Sequence, residues 1–464
     1  MLHEILSRVP DYQCFYTTEE MDQRSREVKQ KFGDRVELFN IGRSREGREI
    51  QCLKIGEGKI PVLLIGCPHP NEPVGSMLID SLISELLNYS DLSLQFDFTW
   101  YMIKSSDIDG TALNEGWFKG PFTITHYIEN FFRPAFHQQV EWSFPIDYKN
   151  YHFNKPIPET LAIMKLIEKV PFRIIYSLHN TGFGGCYWYL TQGNEELYSN
   201  LYNASKREGI PLSLGEAEVP YAVKFSNAVY GDIGLREQYD YLEKNLPDFN
   251  PEEDISGGAN CVEYANLRSE KKVYSLVNEV PYFFDPRVND MSESQFTRRE
   301  LLLENCKQSE ELLEKVRDLF QRIKPYITTA NPYIISVEER VKHMDNISAK
   351  RAWLERNHDF NRKASISQEF DNLYGSRFFD NLNFTLLAQG IDRYLLEEKG
   401  FDLGKKQLFK NVGAEARELM QANNKHLEDI LQYQAIPIRK LVRLQLASGL
   451  IFFKYVQELI EKEF

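Results

Sequence analysis

The sequence predicts an α/β fold, a mixed and mostly parallel sheet flanked by helices, followed by an all-helical C-terminal domain. Three observations predict it. Short apolar runs such as Pro61-Val62-Leu63-Leu64-Ile65 alternate with amphipathic helical patterns, as strands joined by crossover helices do. A His and a Glu stand three residues apart in Gly66-Cys67-Pro68-His69-Pro70-Asn71-Glu72-Pro73, where one such run turns into a helix. Beyond Pro325 and Pro332 the composition shifts to helix formers and charges, with apolar spacings of three and four.

Composition limits the functions to consider. The 464 residues are 42% hydrophobic and 27% charged, which supplies a packed core and predicts two or three domains. A net charge of −13 disfavours general nucleic-acid binding, which needs a basic surface. The six cysteines (14, 52, 67, 186, 261 and 306) are scattered without a CxxC, as in reduced cytoplasmic proteins. Residues 1–30 are charged and lack the apolar stretch of a signal peptide. No apolar run reaches the ~20 residues that cross a bilayer. A soluble, cytoplasmic protein with no membrane partner is expected.

The elements follow in order. Thr17-Thr18-Glu19-Glu20 opens a capped, charged helix within residues 11–33. Val36–Ile41 and Glu49–Ile55 alternate as two strands around the turn Gly42–Arg48, and Pro61–Ile65 is a buried strand. Apolar residues at 74, 78, 79, 82, 83, 86 and 87 give Val74–Leu87 one buried helical face. Phe98–Ile103 is a strand ending at Ser105–Gly110. Residues 111–158 lack a clean period and are crowded with aromatics; so long an irregular segment inside an α/β domain is usually functional. Glu159–Val170 reads as helix, Phe172–Leu178 as strand, and His179–Gly185 as a glycine-rich turn. Val273–Val277 reads as a strand ending at Asn278-Glu279, and a heptad-like pattern runs from Leu301 to Ile323. The expected domains are residues 1–325 and 331–464.

Three predicted strand ends carry chemistry: His69 with Glu72, His179, and Glu279. A catalytic zinc takes three protein ligands and keeps one position open, and His69, Glu72 and His179 form such a set. Zinc lowers the pKa of water to about 7, and a carboxylate beside it can take the proton and pass it to a leaving amine. Glu279 suits that role, because the carboxyl edge of a parallel sheet is where ligands bind. Each residue also has a plainer reading. HxxE is a common tetrapeptide, His179 alone could be a hydrogen-bonded loop histidine, and Glu279 could face solvent or pair with Arg287. Glu263 is a rival base. The joint pattern favours the metal reading.

Several motifs in order resemble the M14 metallocarboxypeptidase family. Ile41-Gly42-Arg43-Ser44-Arg45-Glu46-Gly47-Arg48 is similar to its hairpin ahead of the metal motif, and His69-Pro70-Asn71-Glu72 matches HxxE. Asp107-Ile108-Asp109-Gly110 resembles its NPDG turn, and Pro158-Glu159-Thr160 the segment opening its next helix. Ser177-Leu178-His179 matches the third-ligand strand end and Glu279 the catalytic glutamate. The resemblance covers about residues 36–290. It implies a mixed sheet of about eight strands, a Zn2+ cofactor, and cleavage of an amide bond in a peptide or acylated amino acid. Glu279 would be general base for metal-activated water.

The chain departs from the family where those peptidases hold the substrate carboxylate with an Asn-Arg pair. No such dipeptide stands between the metal motif and His179. Arg133 is the nearest candidate, to hold the carboxylate or the developing oxyanion. Asn154-Lys155 is another, and Tyr264 loosely matches the mobile substrate-covering tyrosine. Arg133 could instead form a surface salt bridge. The aromatic insert (among it Trp117, Phe118, Tyr127, Phe131 and Trp142) either walls a substrate cleft or packs on the helical domain. The expected function is a zinc metallocarboxypeptidase. The alternatives are an amidase of unusual substrates (a γ-glutamyl cell-wall peptide or an N-acyl amino acid) and a non-catalytic binding protein on the same fold.

Overall fold

The computed structural model describes residues 2–246, 248–342, 344–356, 360–398, 400 and 402–463. The main sheet contains, in chain order, β1 (Val36–Arg43), β2 (Glu49–Ile55), β3 (Ile60–Ile65), β4 (Phe98–Ile103), β5 (Ile174–Ser177) and β6 (Asn180–Phe183). It continues with β7 (Tyr187–Leu190), β8 (Lys224–Ser226), β9 (Val229–Gly231), β10 (Tyr274–Phe284) and β11 (Gln434–Ala435). Among the described residues the order is β1-β2-β4-β3-β5-β10-β7-β9-β8, with β6 and β11 also paired to β10. The central strands β4, β3, β5 and β10 are parallel, and antiparallel pairs flank them. Short strands such as β6, β8, β9 and β11 bring the count to eleven rather than about eight.

The two-residue period of a strand divides the core. Val62, Leu64, Ile174 and Tyr176 join one apolar cluster, while Leu63, Ile65 and Ile175 join the other. The first is covered by helices Val74–Asn88, Glu195–Glu208 and Ile438–Glu461. The second is covered by helix Pro158–Lys169, through Ala162, Ile163, Leu166 and Ile167.

Two expectations about elements need correction. Residues 111–118, read as irregular, complete helix Ile108–Phe118, whose N-cap Asp107 accepts the Gly110 N–H. Buried Thr111 and Asn114 on that helix break the apolar period. The strand expected to stop at Asn278-Glu279 runs on to Phe284, because its second half finds a new parallel partner in β6.

Packing crosses the expected division into residues 1–325 and 331–464 at both ends. The long helix Arg298–Ile323 packs mainly on the helices that follow it, Ser376–Glu397 among them, so helical packing begins before Pro325. At the other end β11 pairs with β10, and helix Ile438–Glu461 lies against the sheet. There Trp188 Nε1 donates to Ser448 Oγ at 3.0 Å and Tyr176 Oη to the Gln445 carbonyl at 2.8 Å. Apolar spacing announces that a helix has a buried face, but not what buries it. The C-terminal region is helical, yet its last helix is a layer of the α/β unit. No helix among the described residues is long and apolar enough to cross a membrane.

Candidate active site

Strand β3 leads into helix Val74–Asn88 and then to β4 on one side, while β5 lies on the other side of β3. Chain paths diverging from adjacent parallel strands open a crevice at their carboxyl ends. His69 and Glu72 follow β3, and His179 follows β5, so both sides of the crevice contribute. The connection is tight. A Cβ on Gly66 would lie 2.4 Å from the Lys104 carbonyl oxygen. Cys67 takes a φ of 45°, a left-handed conformation that costs of order 1–3 kcal/mol and is typical of functional turns. The Glu72 N–H closes the turn on the His69 carbonyl at 3.1 Å.

The three side chains converge. Nδ1 of His69 lies 3.0 Å from Glu72 Oε1, and Nδ1 of His179 lies 3.1 Å from Glu72 Oε2. The two Nδ1 atoms are 3.2 Å apart. All three residues are buried, and one ligand atom from each falls within 4.8 Å of the others. Zinc bonds of ~2.0–2.1 Å in a tetrahedron put donors ~3.3 Å apart, so this spacing fits the ion. The donor chemistry, two imidazoles and a carboxylate, fits as well. Around the set, His69 Nε2, Asn71 Oδ1 and Asn180 Nδ2 are buried without partners among the described residues. His179 Nε2 lies 3.0 Å from Ser177 Oγ, which donates to Glu141 at 3.1 Å and so orients the ring.

Without a cation the charges divide unevenly. Burial, with the nearby Arg133 guanidinium, pushes His69 down to about 3, so it is neutral and free to donate a lone pair. Burial opposes a charge on His179, but hydrogen bonding to Glu72 outweighs it and raises that ring to about 9. Burial also opposes the Glu72 charge, yet the two imidazoles hold that carboxylate well below its ordinary value. Glu279 moves the other way: burial, followed by the Glu72 charge, raises it well above 4.5. Its Oε1 lies 3.7 Å from His179 Nδ1. Arg287, the alternative partner weighed for Glu279, pairs with Asp285 at 2.7 Å instead.

Glu279 sits where the ladder changes hands. Residues 274–277 of β10 pair with β5, and residues 280–283 pair with β6. The break leaves the carbonyls of His179 and Asn278 without strand partners. Gln445, fully buried on helix Ile438–Glu461, donates its Nε2 to both, at 2.6 and 3.2 Å. No sequence pattern pointed to Gln445; a polar residue inside an apolar helical face was the available signal. Gln445→Ala would leave two buried carbonyls unpaired, at about 1–3 kcal/mol each. Urea denaturation is expected to show a loss of about 2–6 kcal/mol. A loss under about 0.5 kcal/mol would mean that water replaces the amide.

A cleft of about 520 Å³ opens beside this site, lined by Glu72, Arg133 and Glu279 together with residues of the C-terminal region such as Phe370 and Phe379. Arg133 Nη1 reaches Glu72 Oε1 at 3.2 Å and its side chain is 27% exposed, so it is part of the site rather than a surface pair. The aromatic insert is divided between the cleft and the helical region. Tyr127 and Phe131 line the cleft, while Phe132 packs edge-on against Tyr333 at 4.7 Å.

Three other residues weighed from sequence are elsewhere. Asn154, like Lys155, is exposed beyond the strand Tyr151–Phe153 and does not line the cleft. Tyr264 is fully buried on helix Cys261–Asn266, donating to Glu168 at 2.6 Å beneath the Arg268 guanidinium, so it cannot cover a substrate. Glu263 closes a capping box with Asn260 and accepts the Leu235 N–H, which removes it as rival base. The remaining motifs form scaffold. Ser44 and Arg48 bond Asp109 at 2.8 and 3.0 Å, and Arg45 bonds Asp107 and Glu159 at 3.2 and 3.1 Å. They tie the first hairpin to the turn after β4.

Residues 21–207 match the model of the zinc carboxypeptidase family, Peptidase M14. The resemblance to that family therefore holds over a stretch that contains His69, Glu72 and His179, while Glu279 lies beyond it. The chain is 28% identical over 126 residues to zinc carboxypeptidase A 1 of Anopheles gambiae, covering 24% of this chain and 29% of that relative. Carboxypeptidase A from Helicoverpa armigera superposes with a TM-score of 0.38 at 16% identity, covering 58% of this chain and 65% of that one. A metallo-carboxypeptidase from Burkholderia cenocepacia gives 0.34 at 14%, covering 57% and 60%. Superpositions at this level add no weight to the family match.

Proposed function

We propose that the protein is a zinc-dependent hydrolase of amide bonds, most simply a metallocarboxypeptidase acting on a peptide or acylated amino acid. The observation that carries this reading is the buried convergence of His69, Glu72 and His179 beside Glu279 at a strand switch point. The family match over residues 21–207 supports it. His69, Glu72 and His179 would hold the ion. Zinc, when bound, supplies a Lewis acid that polarises a carbonyl and makes water acidic near neutral pH.

The chain's own groups supply the rest. Glu279 would accept a proton from the attacking water on its carboxylate and return it to the leaving nitrogen. Arg133, beside Glu72, would hold the substrate carboxylate or steady the developing oxyanion with its guanidinium. Buried Tyr127, with Phe370 and Phe379, lines the crevice beside these groups.

The test is metal analysis of purified protein together with a panel of peptides and N-acyl amino acids. One zinc per chain with amide hydrolysis is expected; zinc without any hydrolysis would favour a binding protein on this fold. Arg133→Ala is expected to retain zinc and lower kcat/KM by roughly 10–100-fold, as loss of a charge-assisted contact does. Unchanged kcat/KM would remove Arg133 from the reaction.

A further inference from the structure

The cleft holds a second guanidinium that lies outside the family-matching stretch. Arg340, on helix Pro332–Lys342, lines it together with Glu72, Arg133 and Glu279. Its helix is latched to the Arg133 segment. Ser336 Oγ donates to the Arg133 carbonyl at 2.9 Å, and Glu339 accepts the Phe136 N–H and pairs with His137 at 2.8 Å. The placement of the two arginines is thus set by the fold.

Arg340 has no hydrogen-bond or ion-pair partner among the described residues. The carboxylates nearest to it are committed elsewhere, Glu339 to His137 and Asp380 to Ser309 at 2.6 Å. Burial, with repulsion from Arg133, pushes its guanidinium down to about 10. The other carboxylates of the cleft are engaged too. Glu216 is held by Arg298, Glu218 accepts the hydroxyls of Tyr187 and Tyr189, and Asp371 accepts the Glu216 N–H. Two like charges in one half-buried cleft repel, and among the described residues the second forms no direct ion pair, with only the nearby charges of Glu339 and Asp380 to offset it. A guanidinium takes one carboxylate in a bidentate pair, so two guanidiniums accommodate two carboxylates.

We propose that Arg340 is a specificity-determining residue which, with Arg133, receives a substrate residue bearing two carboxylates, so that cleavage releases a dicarboxylic amino acid. The inference rests on the hydrolase reading. Water's oxygen bonds to the acyl carbon, the C–N bond breaks, and the amine of the released residue takes the proton. The C-terminal helical region then selects the substrate as well as walling the cleft.

Calorimetric titration of the zinc-loaded full chain with glutamate and with glutamine tests the receptor without relying on turnover. Wild type is expected to bind glutamate at least ~10-fold more tightly than glutamine. Arg340→Gln should erase that ratio at unchanged zinc content, and Arg340→Lys should restore part of it. The ratio of kcat/KM for peptides ending in Glu and in Gln should change in parallel. Equal binding of the two amino acids by wild type, undetectable glutamate binding, or a ratio that survives Arg340→Gln would each overturn the proposal. Hydrolysis with no glutamate preference would leave the hydrolase reading intact and sink this one. A preference lost in Arg340→Gln without hydrolysis of any amide would uphold the receptor and sink the hydrolase.

Discussion

Glu279→Gln is expected to lower kcat by about 10²–10⁴-fold, the range a positioned general base contributes, while zinc content stays at the wild-type level. Gln keeps the shape of the side chain but cannot accept a proton. The backbone around it should not move, because residue 279 is paired with Tyr187 and flanked by ladders to β5 and β6. Steady-state kinetics on a peptide that wild type cleaves, with elemental analysis of the same samples, reads both quantities. Activity near wild type would assign the base to another carboxylate, and Glu218 is the next one in the cleft. Zinc loss in the variant would make Glu279 a ligand instead. Its Oε1 lies 3.7 Å from His179 Nδ1, beside the ligand set.

The second large effect concerns the metal. His69→Ala should reduce zinc from about one ion per chain to nearly none after dialysis, because a three-residue site loses one of its donors. His69 Nδ1 lies within 3.2 Å of both Glu72 and His179, so its loss also leaves those two facing a void. The fold should survive, since both apolar clusters are independent of His69. Elemental analysis with circular dichroism separates the two outcomes. Equal zinc in variant and wild type would take His69 out of the site, and a collapsed spectrum would make its role structural.

Much of this arrangement is legible in the sequence. The runs Pro61–Ile65 and Phe98–Ile103 become β3 and β4 because a strand buried on both faces must be apolar at nearly every position. HxxE at the end of such a run is local, and the turn that aims both side chains is closed by a bond between those same residues. His179 and Glu279 could be named because each directly follows or interrupts a run of buried strand residues.

Tertiary structure decided the rest, for one physical reason. Residues far apart in the chain carry no local signal of which face they will share. Asn154 and Tyr264 have suitable chemistry, yet their elements carry them to an exposed hairpin end and to a buried helix. Conversely, Gln445 and Arg340 stand in helices whose apolar spacing only announces a buried face. Packing sets the first beneath the broken ladder at His179 and Asn278, and the second in the wall of the cleft beside Arg133. The chemistry of the candidate site was local and readable, whereas the surroundings that orient it and wall its cleft arise from contacts more than 150 residues apart in the chain.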